Sequence, residues 1–223
     1  MPELSLEGVH LDGPDGRPVF RGLDLNLAPG EDAMVVGGTA FARGQLLKLA
    51  GGITAPAKGR VVIAGALVWP GEGLAGLRRK PSVGLSFGRG GLLANMSLLD
   101  NLELPLIFGS DLGRERIREM SLELLERFDL QGLARLRPHM LGMRELHLAN
   151  LIRVKLLDPG LILLDDPFEE LEAGDMAEVR TWMETWIQDP GRNLLVAADD
   201  PDPEAYPRLR RLTLREGRLM EAA

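Results

Sequence analysis

Leu161-Ile162-Leu163-Leu164-Asp165-Asp166-Pro167 decides the fold. Its leading apolar run suits a strand covered on both faces, as in a parallel sheet between layers. Two carboxylates follow at the strand's end, and Pro167 stops further pairing. An apolar strand ending in an acid commonly delivers a carboxylate to a magnesium-bound phosphate. The plain structural alternative is a capped turn after a buried strand, so the partners of such chemistry must be sought elsewhere in the chain.

Working outward, Ala33-Met34-Val35-Val36 reads as another buried strand, broken by Gly37-Gly38-Thr39. Leu46, Leu47, Leu49 and Ala50 continue at helical spacing and stop at Gly51-Gly52. Further strands are expected at 3–9, 19–27, 59–68, 83–87, 193–197 and 210–215. Turns fall at Gly13-Pro14-Asp15-Gly16 and Pro29-Gly30-Glu31-Asp32. Helices are expected at 97–108, 114–128, 143–157 and 173–187, the second with Ile117, Met120, Leu124 and Leu125 on one side. Strands alternating with helices argue for an α/β fold with a mainly parallel, covered sheet.

The composition narrows the function classes. The chain has 223 residues, 45% of them apolar, enough for a full core. The net charge of −7 argues against nucleic acid as a partner. With no cysteine there is no disulfide, no thiol nucleophile and no thiolate-ligated metal. His10, His139 and His147 are scattered, against a histidine-based zinc site. The start of the chain lacks a basic segment followed by an apolar core, so no signal peptide is expected. No apolar run is long enough to span a membrane, so a membrane role must come through a partner.

Four segments carry the functional reading: Gly37-Gly38-Thr39-Ala40-Phe41-Ala42-Arg43-Gly44-Gln45, Gly90-Gly91-Leu92-Leu93…Met96-Ser97…Asp100-Asn101…Pro105-Leu106, Leu141-Gly142-Met143-Arg144-Glu145 and Asp165-Asp166-Pro167-Phe168. In this order they resemble the ATP-binding subunit of ABC transporters, most strongly over 30–52, 83–106 and 137–171. The glycine-rich segment at 90 and Asp166-Pro167-Phe168 look most like subunits that power MCE-type lipid transport. The resemblance implies a P-loop NTPase fold with a mainly parallel sheet, an antiparallel β subdomain and an inserted helical subdomain. It implies a single nucleotide-binding domain over 1–223, with 1–91 and 146–223 as core and β subdomain and 92–145 as the helical insert.

The resemblance also implies a site, and there the sequence departs from the pattern. Gly37, Gly38, Thr39, Ala42, Arg43, Gly44 and Gln45 occupy the phosphate loop, whose pattern is Gly-x-x-x-x-Gly-Lys-Ser/Thr. The glycine before the lysine is Ala42, the lysine is Arg43, and Gly44 replaces the hydroxyl that binds magnesium. Either residues 37–45 form an open nest of N–H groups, or Phe41 and Arg43 fill the loop. After Phe87 the family's metal-contacting glutamine is Gly88, followed by Arg89, which a surface role explains best. In the signature segment the serine donor is lost, and Met143 and Arg144 fill space meant for phosphate.

Asp165 matches the aspartate that holds magnesium through water, and Asp166 stands where a glutamate activates water. The missing methylene leaves that carboxylate about 1.5 Å short, a misplacement that can cost about 100-fold in rate. Asp166 is thus at best a weak base. Glu172 takes the place of the D-loop aspartate, and Asp199 that of the switch histidine, with Asp200 beside it. Adjacent acids there repel phosphate. The aromatic that stacks on adenine falls near Leu11.

ATP and magnesium are therefore the implied cofactors, and the substitutions speak against both. The implied role is a hydrolysis-impaired subunit at the inner face of a membrane. It docks on a permease and pairs with itself or with another ABC subunit. An active but atypical ATPase is the alternative, with Arg43 on the phosphates, Asp165 on magnesium and Asp166 as base. A soluble scaffold outside transport is another. The leucines of 92–108 suit either a permease groove or plain core.

Overall fold

The computed structural model describes residues 4–71, 83–88, 90–199 and 208–221. Arg89, Asp200 and the proline-rich segment before 208 lie outside the described residues. In order the elements are β1 (Leu4–Asp12), β2 (Pro18–Leu27), β3 (Ala33–Val36), α1 (Ala40–Ala50), β4 (Lys58–Ile63), β5 (Ala66–Trp69) and β6 (Val83–Ser86). Then follow α2 (Leu98–Gly109), α3 (Arg114–Arg127), α4 (Met143–Leu157), β7 (Leu161–Asp165), α5 (Ala173–Ile187), β8 (Asn193–Ala198), β9 (Arg210–Arg215) and β10 (Arg218–Glu221).

The strands form two sheets. One has four strands in the order β2-β1-β4-β5 and is antiparallel. The other has six in the order β10-β9-β3-β8-β7-β6, parallel except where β10 turns back on β9. Alternation along each central strand sends successive side chains to opposite faces. Leu161, Leu163, Ala33, Val35, Leu195 and Ala197 pack with α1 and the antiparallel sheet. Ile162, Leu164, Met34, Leu194, Val196 and Ala198 pack with α2, α4 and α5. A strand buried on both sides must be apolar at every position, which is why Leu161–Leu164 is an unbroken run.

Helices α2 and α3 come between β6 and β7 in the chain and pack on α4. Ser97 caps α2 by accepting from the Asp100 N–H at 3.1 Å, while the Asp100 carboxylate accepts from the Ser97 N–H at 3.2 Å. Leu98, Leu99 and Leu102 are core, whereas Leu93 and Phe108 are exposed. The leucines of this segment therefore serve mainly the interior.

Beyond shifts at element ends, such as β1 running on to Asp12, the elements differ from the sequence reading in three places. The strand expected at 59–68 is a hairpin, β4 and β5, turned at Ala64 and Gly65, both at positive φ. Strand β10 is additional. Helix α1 begins at Ala40, inside the segment read as a phosphate loop.

Candidate functional site

The carboxyl ends of β3, β7 and β8 and the start of α1 meet at one edge of the six-stranded sheet, where open α/β sheets commonly bind ligands. A cleft of about 1200 Å³ opens there. Arg43, Gly44, Gln45, Asp165, Asp166 and Asp199 all line it, so these residues come together as expected. Lys48, Ser86 and Arg180 also line it and were not singled out by the sequence, where no motif marks them, and so does Phe168 of the Asp166-Pro167-Phe168 segment. Gly38, Thr39 and Ala42 border a second cavity of about 650 Å³, beside Phe41 and Leu214.

Gly37 and Gly38 both take left-handed φ, 75° and 66°. A Cβ on Gly38 would lie 2.8 Å from the end of the Leu214 side chain, which would have to shift, so the positive φ is the firmer reason for glycine there. Thr39 then caps α1. Its Oγ1 accepts from the Ala42 N–H at 3.1 Å, and its carbonyl accepts from the Arg43 N–H at 3.0 Å. Those N–H groups are thereby bonded within the helix start and do not form an open nest.

The loop is filled, and its filling is Arg43 alone: Phe41 is 48% exposed, Arg43 only 2%. The Arg43 Nη1 group donates to the carbonyls of Gly37 and Gly38 at 3.3 and 3.4 Å and to Asp199 Oδ1 at 2.8 Å. Its Nη2 group donates to Asp166 Oδ2 at 3.3 Å. Carbonyl oxygens, the wrong polarity for phosphate, thus face the middle of this loop. Asp166 has a left-handed φ of 41°, uncommon for a residue with a side chain. Its Oδ1 accepts from the Asp199 N–H at 2.9 Å, so one carboxylate bridges Arg43 and the end of β8.

Asp165 closes β7, and its Oδ2 accepts from the Gly88 N–H at 3.3 Å. Burial raises its pKa, and the charge of Asp166 adds to this against the lowering effects of Gly88 and Arg43. A Cβ on Gly44 would lie 3.8 Å from that oxygen, and one on Gly88 3.2 Å. The three positions that would surround a metal thus converge, yet two of them carry no side chain. Helix α4 fastens the loop after β6. Asn150 donates to the Gly90 carbonyl at 2.9 Å, Arg153 to the Gly91 carbonyl at 2.6 Å, and the buried His147 lies 3.4 Å from the Gly88 carbonyl.

The signature segment corrects one expectation. Gly142 is the N-cap of α4, and Glu145 stands in its first turn. Arg144 does not reach into open space for phosphate. Its Nε donates to Asp175 Oδ2 at 2.6 Å and its Nη2 to Asp175 Oδ1 at 2.7 Å. Asp175 also accepts from the N–H of Glu172, the N-cap of α5, at 3.2 Å. No local spacing marks this pairing across 31 residues. Leu11 is half-buried and packs on the core.

The chain is similar to the lipoprotein-releasing system ATP-binding protein LolD of Pseudomonas syringae pv. tomato, 31% identical over 212 residues, 95% of this chain and 92% of that protein. It is 28% identical over 224 residues to LolD of Chromohalobacter salexigens, covering 99% of this chain and 94% of the other. The macrolide export ATP-binding/permease protein MacB of Chromobacterium violaceum is 29% identical over 222 residues, 97% of this chain and 34% of the longer protein. Among solved structures, the ATP-binding cassette MJ0796, dimeric in a post-hydrolysis state and bound to ADP and Pi, superposes with a TM-score of 0.84. It covers 98% of this chain at 22% identity and shares its fold. No protein-family model matches the chain.

Proposed function

The chain belongs to the ATP-binding subunits of ABC transporters, and from that premise we propose that it is a hydrolysis-impaired member that docks on a membrane permease. The observation that carries this reading is the buried guanidinium of Arg43, held by Asp166 and Asp199 where a phosphate loop would keep its donors open. ATP and magnesium do not fit the residues present. The N–H groups of Ala42 and Arg43 are bonded to Thr39, and the positions of Gly44 and Gly88 offer no metal ligand. Asp165, Asp166 and Asp199 instead serve the fold and the internal ion pairs.

Docking is proposed because no helix among the described residues is long and apolar enough to cross a membrane, while relatives such as MacB are named as ATP-binding/permease proteins. The exposed Phe108 and Leu93 of the 92–145 segment are the side chains offered for it. We assign 92–145 as the helical subdomain and 1–91 with 146–223 as the core. The cargo class we favour is lipid-bearing. The resemblance of 90–106 to MCE-type subunits and the similarity to the lipoprotein-releasing LolD both point that way. The working form is a pair of ATP-binding subunits, two copies of this chain or one with another ABC subunit.

Affinity purification of the tagged full chain from detergent-solubilised membranes of its host tests the docking. The expected result is recovery of a multi-span membrane protein in stoichiometric amount. A stable homodimer that brings down no membrane protein would overturn it in favour of a soluble scaffold.

A further inference from the structure

Arg43 is buried on the wall of the cleft, and two carboxylates of its own chain already lie on it, at 2.8 Å from Asp199 and 3.3 Å from Asp166. A guanidinium fork recognises carboxylate and phosphate oxygens by the same geometry. The acids are also tied to each other through the Asp199 N–H on Asp166 Oδ1 at 2.9 Å, and the Asp166 N–H donates to the Ala197 carbonyl at 2.8 Å. We infer that Asp166 and Asp199 are a built-in occupant of an anion position, an autoinhibitory contact that keeps polyphosphate off Arg43. This rests on the reading of the cleft as a retained but closed nucleotide site.

Two further observations support it. The Asp199 side chain is 78% exposed, whereas that of Arg43 is 3% exposed. The acid therefore lies on the solvent side of the pair, and its displacement unpacks nothing. In addition, Arg43 Nε and Ser86 Oγ are both buried, both residues line the cleft, and neither atom has a hydrogen-bond partner among the described residues. Arg43 thus keeps an N–H, and Ser86 a hydroxyl, that the surrounding described residues leave unsatisfied. What opposes an incoming ligand is like charge, since a polyphosphate would sit beside two carboxylates. Neutralising Asp199 removes one of these charges and leaves Asp166 as counter-ion, so Arg43 is not stranded.

The test is calorimetric titration of the full chain and of Asp199→Asn with inorganic tripolyphosphate in magnesium-free buffer, with thermal unfolding followed in the same solutions. Asp199→Asn is expected to bind about ten-fold or more tighter than the unsubstituted chain, and adding Arg43→Gln is expected to cancel the gain. A folded Asp199→Asn protein that binds no tighter overturns the inference. If Asp199→Asn does not fold, Asp166→Asn takes its place with the same expected gain and the same overturning result. ATP turnover by the unsubstituted chain is read separately. Turnover there sinks the closed-site reading, whereas a silent parent with no gain in the variant sinks only the autoinhibitory contact.

Discussion

Arg144 and Asp175 form a two-bond clamp, Nε to Oδ2 at 2.6 Å and Nη2 to Oδ1 at 2.7 Å, joining the first turn of α4 to the first turn of α5. Arg144 also donates to the Phe128 carbonyl at 3.4 Å, at the end of α3. Phe128 in turn meets Trp182 of α5 edge-on, with ring centroids 5.3 Å apart. The residue that stands where a phosphate-gripping glycine is expected has become a structural tie between the helical segment and the core.

Arg144→Gln is expected to destabilise the protein by about 2 kcal/mol, because it strands a carboxylate whose side chain is only 7% exposed. Asp175→Ala is expected to cost more, since it also removes an acceptor from the start of α5. Urea unfolding of both single variants and of the double variant measures this. A coupling energy near zero would show that the clamp contributes nothing.

Gly44→Ser restores the hydroxyl that magnesium sites use, at a helical position with only ordinary contact to Asp165. Serine has the better helix propensity, so a gain of about 0.5 kcal/mol in stability is expected. No ATP turnover should accompany it, because Gly88 and Asp199 remain unchanged. Denaturation and a phosphate-release assay on the same preparation check both halves.

Asp32 introduces a pH dependence. Its Oδ1 accepts from the Leu194 N–H at 2.7 Å, and burial above all raises its pKa from 3.8 to about 6. The folded protein therefore holds a proton that the unfolded chain has released, so stability falls as pH rises through that window and levels off above it. Asp32→Asn keeps the acceptor oxygen and removes the ionisation. Because the site is half-exposed, the variant is expected to be more stable than the parent by roughly 1 kcal/mol at pH 7 and equal to it near pH 4. A constant difference across pH would contradict this.

Leu102 and Phe108 separate core from the proposed docking surface on one helix. Leu102 is fully buried, so Leu102→Ala is expected to cost about 2–5 kcal/mol. Phe108 is 84% exposed, so Phe108→Ser should change stability by less than about 0.5 kcal/mol while weakening co-purification with the proposed permease partner. Thermal unfolding and pull-down, read together, distinguish the two.

The frame was legible wherever burial forces a pattern. Leu161–Leu164 had to be apolar throughout because both faces of β7 are covered, and the expected ranges of α4, α5 and β9 match those observed. The turn that splits β4 from β5 was missed because Gly65 stands alone as a turn residue and Ala64 beside it, at a φ of 49°, carries no turn signature. Strand β10 was missed because it pairs only with β9 and presents one half-buried residue, Leu219. The convergence of Arg43, Gly44 and Gln45 with Asp165, Asp166 and Asp199 on one cleft followed from the order of elements. The Arg43–Asp199 pair did not, because it spans 156 residues and no local spacing encodes it. Losses at single positions could be read one by one; that two of the replacements satisfy a third required the fold.

In the proposed function Arg43, Asp166 and Asp199 satisfy one another in place of a nucleotide. Titration calorimetry of the purified chain with Mg-ATP, with ATP plus chelator as the control, and phosphate release measured in parallel test it most directly. No saturable binding tighter than about 1 mM is expected, and no phosphate release above that of buffer. Micromolar, magnesium-dependent binding with turnover that Asp166→Asn abolishes would contradict it.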